Sequence, residues 1–81
     1  MKVIVNIFLK EGVLDPEGQA IKSSLYNLGF ENCSDVKTGK QIVLTFNQNS
    51  ESEVLRHAKK MCKELLVNTI IENYEISILK D

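Results

Sequence analysis

Residues 2–10, KVIVNIFLK, constrain the fold more than any other stretch of the chain. The run is rich in β-branched residues and is bounded by charged ones, which reads as a strand. Alternation sends Val3, Val5, Ile7 and Leu9 to one face and Ile4, Asn6 and Phe8 to the other. A strand apolar on one face and half-apolar on the opposite one has to be paired on both edges and packed on at least one side.

Two segments with helical periodicity can supply that packing. In 16–29, Asp15 is a good N-cap and Pro16 a good first residue. Glu17 complements the positive end of the helix dipole. Ala20, Ile21, Leu25 and Leu28 keep a helical period, and Gly29 closes the segment. A second helix is expected over about 51–67, opened by a Ser50–Glu53 capping box. Val54, Leu55, Ala58, Met61, Cys62, Leu65 and Leu66 form its apolar stripe. Arg56, His57, Lys59, Lys60, Lys63 and Glu64 line the other side, and Asn68 suits its end.

Three further strands are expected. FENCSDVK, 30–37, is a weak one with few apolar residues, and Thr38-Gly39-Lys40 follows as a tight turn. QIVLTFN, 41–47, is strong, with Ile42, Leu44 and Phe46 facing one way and Val43 and Thr45 the other. NYEISILKD, 73–81, places Tyr74, Ile76 and Ile78 together. The order β-α-β-β-α-β specifies an α+β fold, a ferredoxin-like two-layer sandwich with an antiparallel sheet and both helices on one face. The first and third strands, the most apolar, fall at its centre. The opposite face then carries Ile4, Phe8 and Val43 without cover, and such a patch points to contact with other copies of the chain. The weak second strand is an open edge.

At 81 residues the chain is one domain, small enough for association to add materially to its stability. Its 43% apolar and 26% charged content is that of an ordinary soluble protein. A net charge of −1 and a pI near 5.8 argue against nucleic acid as a partner. No run reaches the ~18 apolar residues of a membrane span. Met1-Lys2 leads straight into a strand with no small-residue cleavage site, so the expected compartment is the cytoplasm. Cys33 and Cys62 are far apart and read as reduced thiols, Cys62 in the core and Cys33 of open role.

Catalytic machinery is hard to find. His57 has no Asp, Cys or second His at helical spacing and reads as a solvated histidine. Lys59, Lys60 and Lys63 read as a solvated helix face, with docking to an acidic partner as the other option. GVLDPEG, 12–18, lacks the spacing of a phosphate-binding loop. Capping explains Asp15 and Pro16, whereas Gly18 weakens the first helical turn without local benefit and calls for a close approach by another backbone or a ligand. Arg56, the single arginine, is not in the first loop where an acylphosphatase-like enzyme needs one, and there is no C-x-x-C for a metallochaperone. An RNA-binding module would need stacking aromatics and a basic surface. An ACT-like regulatory module that binds a small molecule remains compatible with the composition.

Four segments in order carry a resemblance over essentially the whole chain: GVLDPEG with the following helix to LGF, VKTGK before IVLTF, MCKELLVN, and IIENYEI. On these the sequence resembles the PurS family, the small subunits of phosphoribosylformylglycinamidine synthase. It departs from the family pattern at Glu11, often proline, at Lys37, often arginine, and at Thr69, often proline. The resemblance implies a subunit with no active site and no cofactor of its own. It implies a homo-oligomer, dimer or tetramer, placed between a PurQ-like glutaminase and a PurL-like synthetase in a complex that uses ATP, Mg and glutamine. It also implies contacts: Ile4, Phe8 and Val43 between protomers, and Gly12, Asp15, Pro16, Gly18, Lys37, Gly39 and Lys40 toward a partner subunit.

Overall fold

The structure, a computed structural model, describes residues 1–79. The first strand, β1 (Lys2–Leu9), lies between β2 (Gly39–Thr45) and β3 (Glu72–Leu79), antiparallel to both. Helix α1 (Pro16–Asn27) follows β1, and α2 (Glu51–Met61) lies between β2 and β3. The architecture is α+β with an antiparallel sheet, and the order β2-β1-β3 matches the inner part of a ferredoxin-like sheet. Of the last predicted strand, Lys80 and Asp81 lie outside the described residues.

Register explains the core. Val5 stands opposite Ile42 and Ile76, and Val3 opposite Leu44 and Ile78, so these six strand residues make one apolar face. Val54, Ala58 and Cys62 recur every four residues on α2 and pack onto Val3, Val5 and Ile7, with Val67 closing the end. Every one of these seven is buried. After Met61 the helix widens into a π-helical turn, Cys62–Leu66, closed by the Val67 N–H donating to the Cys62 carbonyl at 3.0 Å. That extra residue per turn carries Leu65 away from the sheet, 83% exposed, while Met61, the last residue of α2, is 40% exposed. The 3.6-residue period puts both on the apolar stripe, and the structure turns them outward.

The segment 30–37 forms no strand. Local bonds occupy its polar groups instead: the Asp35 carboxylate accepts from the Val36 N–H at 3.0 Å, and the Cys33 thiol donates to the Asp35 carbonyl. With that strand missing, β2 is an edge rather than a second central strand. Gly39 and Lys40 belong to β2 and not to a turn. Ser50 does cap α2, accepting from the Glu53 N–H, but the Glu53 carboxylate turns to Arg56 at 2.6 Å instead of closing the capping box.

Helix α1 ends as its glycine predicts. Gly29 has φ +99°, the Phe30 N–H donates to the Leu25 carbonyl and the Gly29 N–H to that of Tyr26. Its apolar stripe, however, contributes nothing to the core. Leu28 is 73% and Phe30 58% exposed. A compact chain of this length has a radius of gyration of about 12 Å. This one has 16.2 Å, with extents of 49 × 29 × 14 Å.

Candidate functional site

The two most distinctive sequence segments, GVLDPEG and VKTGK, meet at Asp15. One carboxylate oxygen accepts from the Gly18 N–H at 2.9 Å, which is the helix cap, and from the Thr38 hydroxyl at 2.9 Å. The other accepts from the Thr38 N–H at 2.7 Å. The Thr38 N–H, then the Gly18 N–H, hold the Asp15 carboxyl below its ordinary range against a smaller opposing effect of desolvation. A residue 23 positions away in the chain is thus tied to the start of α1.

Gly18 is the buried residue of α1, and a β-carbon there would lie 2.5 Å from the Val36 carbonyl oxygen. A close backbone approach at this glycine is thus supplied within the chain. Gly39 is equally constrained: a β-carbon would meet the Ile7 carbonyl at 2.6 Å, where β2 presses on β1. Gly12 turns the chain out of β1 with φ +82°.

A pocket of about 450 Å³ lies beside the clamp. Phe8 and Leu14 supply apolar wall, and Lys10, Asp15, Lys37 and Asn73 supply polar groups. The structure brings Phe8, Gly12, Asp15 and Lys37 to this one place. It leaves out Lys40, which reaches across β1 to Glu72 at 3.7 Å on the helix-bearing face. Pro16 is exposed at the first position of α1. On the uncovered sheet face Ile4 pairs with Val43, but the row Gln41–Asn6–Glu75 separates them from Phe8, and Gln41 donates to the Asn6 side chain at 3.1 Å.

Both oxygens of Asp15 are engaged, and the lysines face no nucleophile or imidazole. His57 is on α2 next to Glu53 and Arg56. The Arg56 hydrogen bond and charge hold the Glu53 carboxyl below its ordinary range. Cys62 is in the core, where burial pushes its thiol up. No three His, Cys, Asp or Glu residues among the described ones are grouped to hold a metal. No helix of the described residues is long and apolar enough to cross a membrane. Sequence reasoning missed Thr38, whose partner is distant in the chain, and the exposed stripe of α1, which has the same periodicity as a packed one.

Comparison with known proteins decides the family. The profile named PurS, described as phosphoribosylformylglycinamidine (FGAM) synthase, matches residues 2–80. The chain belongs to the PurS family. Among curated PurS subunits of that synthase, the one from Methanocaldococcus jannaschii is 43% identical over 79 residues, covering 98% of this chain and 95% of its own. The Bacillus subtilis PurS subunit is 39% identical, covering 95% and 90%. The crystal structure of Methanocaldococcus jannaschii PurS superposes with a TM-score of 0.88 at 42% identity, over 99% of this chain and 96% of that one. A chain in the structure of PurLQS from Thermotoga maritima superposes with a TM-score of 0.87 at 29% identity, over 96% and 95%. The PurS chains of these two structures thus share the fold of this protomer.

Proposed function

We propose that this chain is the non-catalytic small subunit of FGAM synthase in purine biosynthesis, a homo-oligomer that bridges a PurQ-like glutaminase and a PurL-like ATP-dependent synthetase in the cytoplasm. The likeness to a chain of the Thermotoga maritima PurLQS structure, over 96% of this chain and 95% of that one, carries this reading. A PurS-type subunit supports transfer of ammonia from the glutaminase to the synthetase by holding the two in register. ATP, Mg and glutamine are then handled by the larger subunits, and this chain binds no cofactor.

The pocket and the clamp suit the bridging role. Asp15 and Thr38 stiffen the rim, Gly12, Pro16 and Lys37 present it, and Lys40 lies one strand position beyond Gly39. The uncovered face at Ile4, Phe8 and Val43 is a contact between copies on this reading.

The test is capture by the tagged chain of its genomic glutaminase and synthetase, followed by glutamine-dependent amidine formation. Gly39 is a poor probe because its substitution disturbs the sheet. Lys37→Glu with Lys40→Glu is the better one, since both lysines are exposed and the Lys40–Glu72 pair is a surface pair of small energetic weight. Capture should weaken with the melting temperature nearly unchanged. Failure of the unmodified chain to capture either enzyme overturns the reading.

A further inference from the structure

The pocket beside Asp15 carries more chemistry than a contact rim needs. Its volume of about 450 Å³ falls in the range of small-ligand sites. Phe8 lies on its wall with 38% of its surface exposed. In register, Phe8 stands between Asn73 of β3 and Gly39 of β2. Gly39 cannot gain a side chain, because a β-carbon there would lie 2.6 Å from the Ile7 carbonyl oxygen. The ring of Phe8 therefore has a carboxamide on one flank and no side chain on the other. A flat group can lie against it.

The polar groups around this ring fall into two sets. Asp15 is spent, its two oxygens taking three donors, and Asp35 accepts from the Val36 N–H. Lys10, Lys37, Glu11 and Asn73 also line the pocket, and among the described residues none of their side chains has a hydrogen-bond or ion-pair partner. Two cations, one carboxylate and one carboxamide are thus open to a ligand beside an aromatic ring.

We infer that this pocket binds a small phosphorylated nucleoside, a mononucleotide. Each open group then has one mate. The base stacks on Phe8, and the Asn73 amide, both donor and acceptor, meets the base edge. Glu11 accepts from ribose hydroxyls, and Lys10 and Lys37 hold the phosphate. An apolar side chain from a protein partner would cover Phe8 and Leu14 but leave both ammonium groups and the Asn73 amide unmatched. A nucleic-acid chain would need a basic track, which a net charge of −1 does not supply, whereas one phosphate needs only these two lysines. The inference goes beyond the subunit reading and does not depend on it.

The test is titration of the isotope-labelled full chain with AMP, GMP, CMP and UMP, followed by amide shifts in NMR. Adenosine and inorganic phosphate are titrated in parallel. At least one nucleotide should saturate shifts at residues 8–15, 35–38 and 73 with a Kd below about 1 mM. The matching nucleoside or phosphate alone should bind roughly tenfold or more weakly, since each keeps only part of the contacts. Lys10→Gln with Lys37→Gln should weaken the nucleotide by roughly tenfold, and Phe8→Leu by roughly fivefold or more through lost stacking. Lys63→Gln, on the helix after α2, should leave binding unchanged. The lysine pair is exposed or half-exposed, so its variant keeps the fold and serves as the check if Phe8→Leu disturbs the sheet. Absence of binding by all four nucleotides, phosphate alone matching them, or full affinity in the double lysine variant overturns the site. None of these results bears on capture of the glutaminase and synthetase, which tests the subunit reading by itself.

Discussion

Gly18 sets two forces against each other at a single residue. Helix propensity alone favours alanine there by about 0.5–1 kcal/mol. The β-carbon, however, would sit 2.5 Å from the Val36 carbonyl oxygen, and relieving such a contact costs about 1–3 kcal/mol. Gly18→Ala should therefore lower the melting temperature, and a rise would mean the approach of residue 36 to α1 is looser than described. Asp15 makes a pH-dependent counterpart. Its carboxyl is depressed in the folded chain by the Thr38 and Gly18 N–H groups, so its contribution is present above the unfolded value and is lost as pH falls through the folded one. Asp15→Asn keeps an acceptor oxygen but not the titration. Between about pH 5 and about pH 3 the wild type should lose more stability than Asp15→Asn, as measured by thermal melts across that range.

Among the elements, α2 carries the core and α1 does not. Val54 is fully buried against β1, so Val54→Ala should cost about 1–3 kcal/mol in denaturant unfolding. Leu65, on the same sequence stripe but turned out by the π-helical turn, should tolerate serine within about 0.5 kcal/mol. The contrast shows what periodicity can and cannot supply. The 3.6-residue pattern placed Val54, Ala58 and Cys62 correctly, because four-residue spacing is local information. The π-helical turn has no signature in CKELL, and it reassigns Leu65. The cap at Asp15 was legible for the same local reason, whereas its bond to Thr38 depends on where the chain returns. The strand expected at 30–37 failed because its polar side chains bind their own backbone, and β2 became an edge as a consequence. The apolar period of α1, by contrast, meets no core in this chain. A sequence pattern states that a face must be covered and is silent on which chain covers it.

At the scale of the whole molecule, the family, the open protomer and the size of the core converge on stability by association. Seven buried residues make the core of an 81-residue chain, and the radius of gyration is 16.2 Å where a compact chain has about 12 Å. So small a core leaves little to offset the conformational entropy of ordering the chain, which runs to about 1–2 kcal/mol per residue for the backbone alone. If pairing supplies the remainder, unfolding and dissociation are one transition, and stability follows mass action. Each tenfold dilution should then remove about 1.4 kcal/mol per dimer. The midpoint of thermal unfolding should fall steadily as the chain is diluted from about 100 μM to about 1 μM, with the loss of α-helical signal coinciding with dissociation. A protomer that stands alone would melt at the same temperature throughout that range. A midpoint independent of concentration, with monomers in sedimentation at the same dilution, would show that the α1 arm is held out in solution by its own clamp and needs no second copy to stay folded.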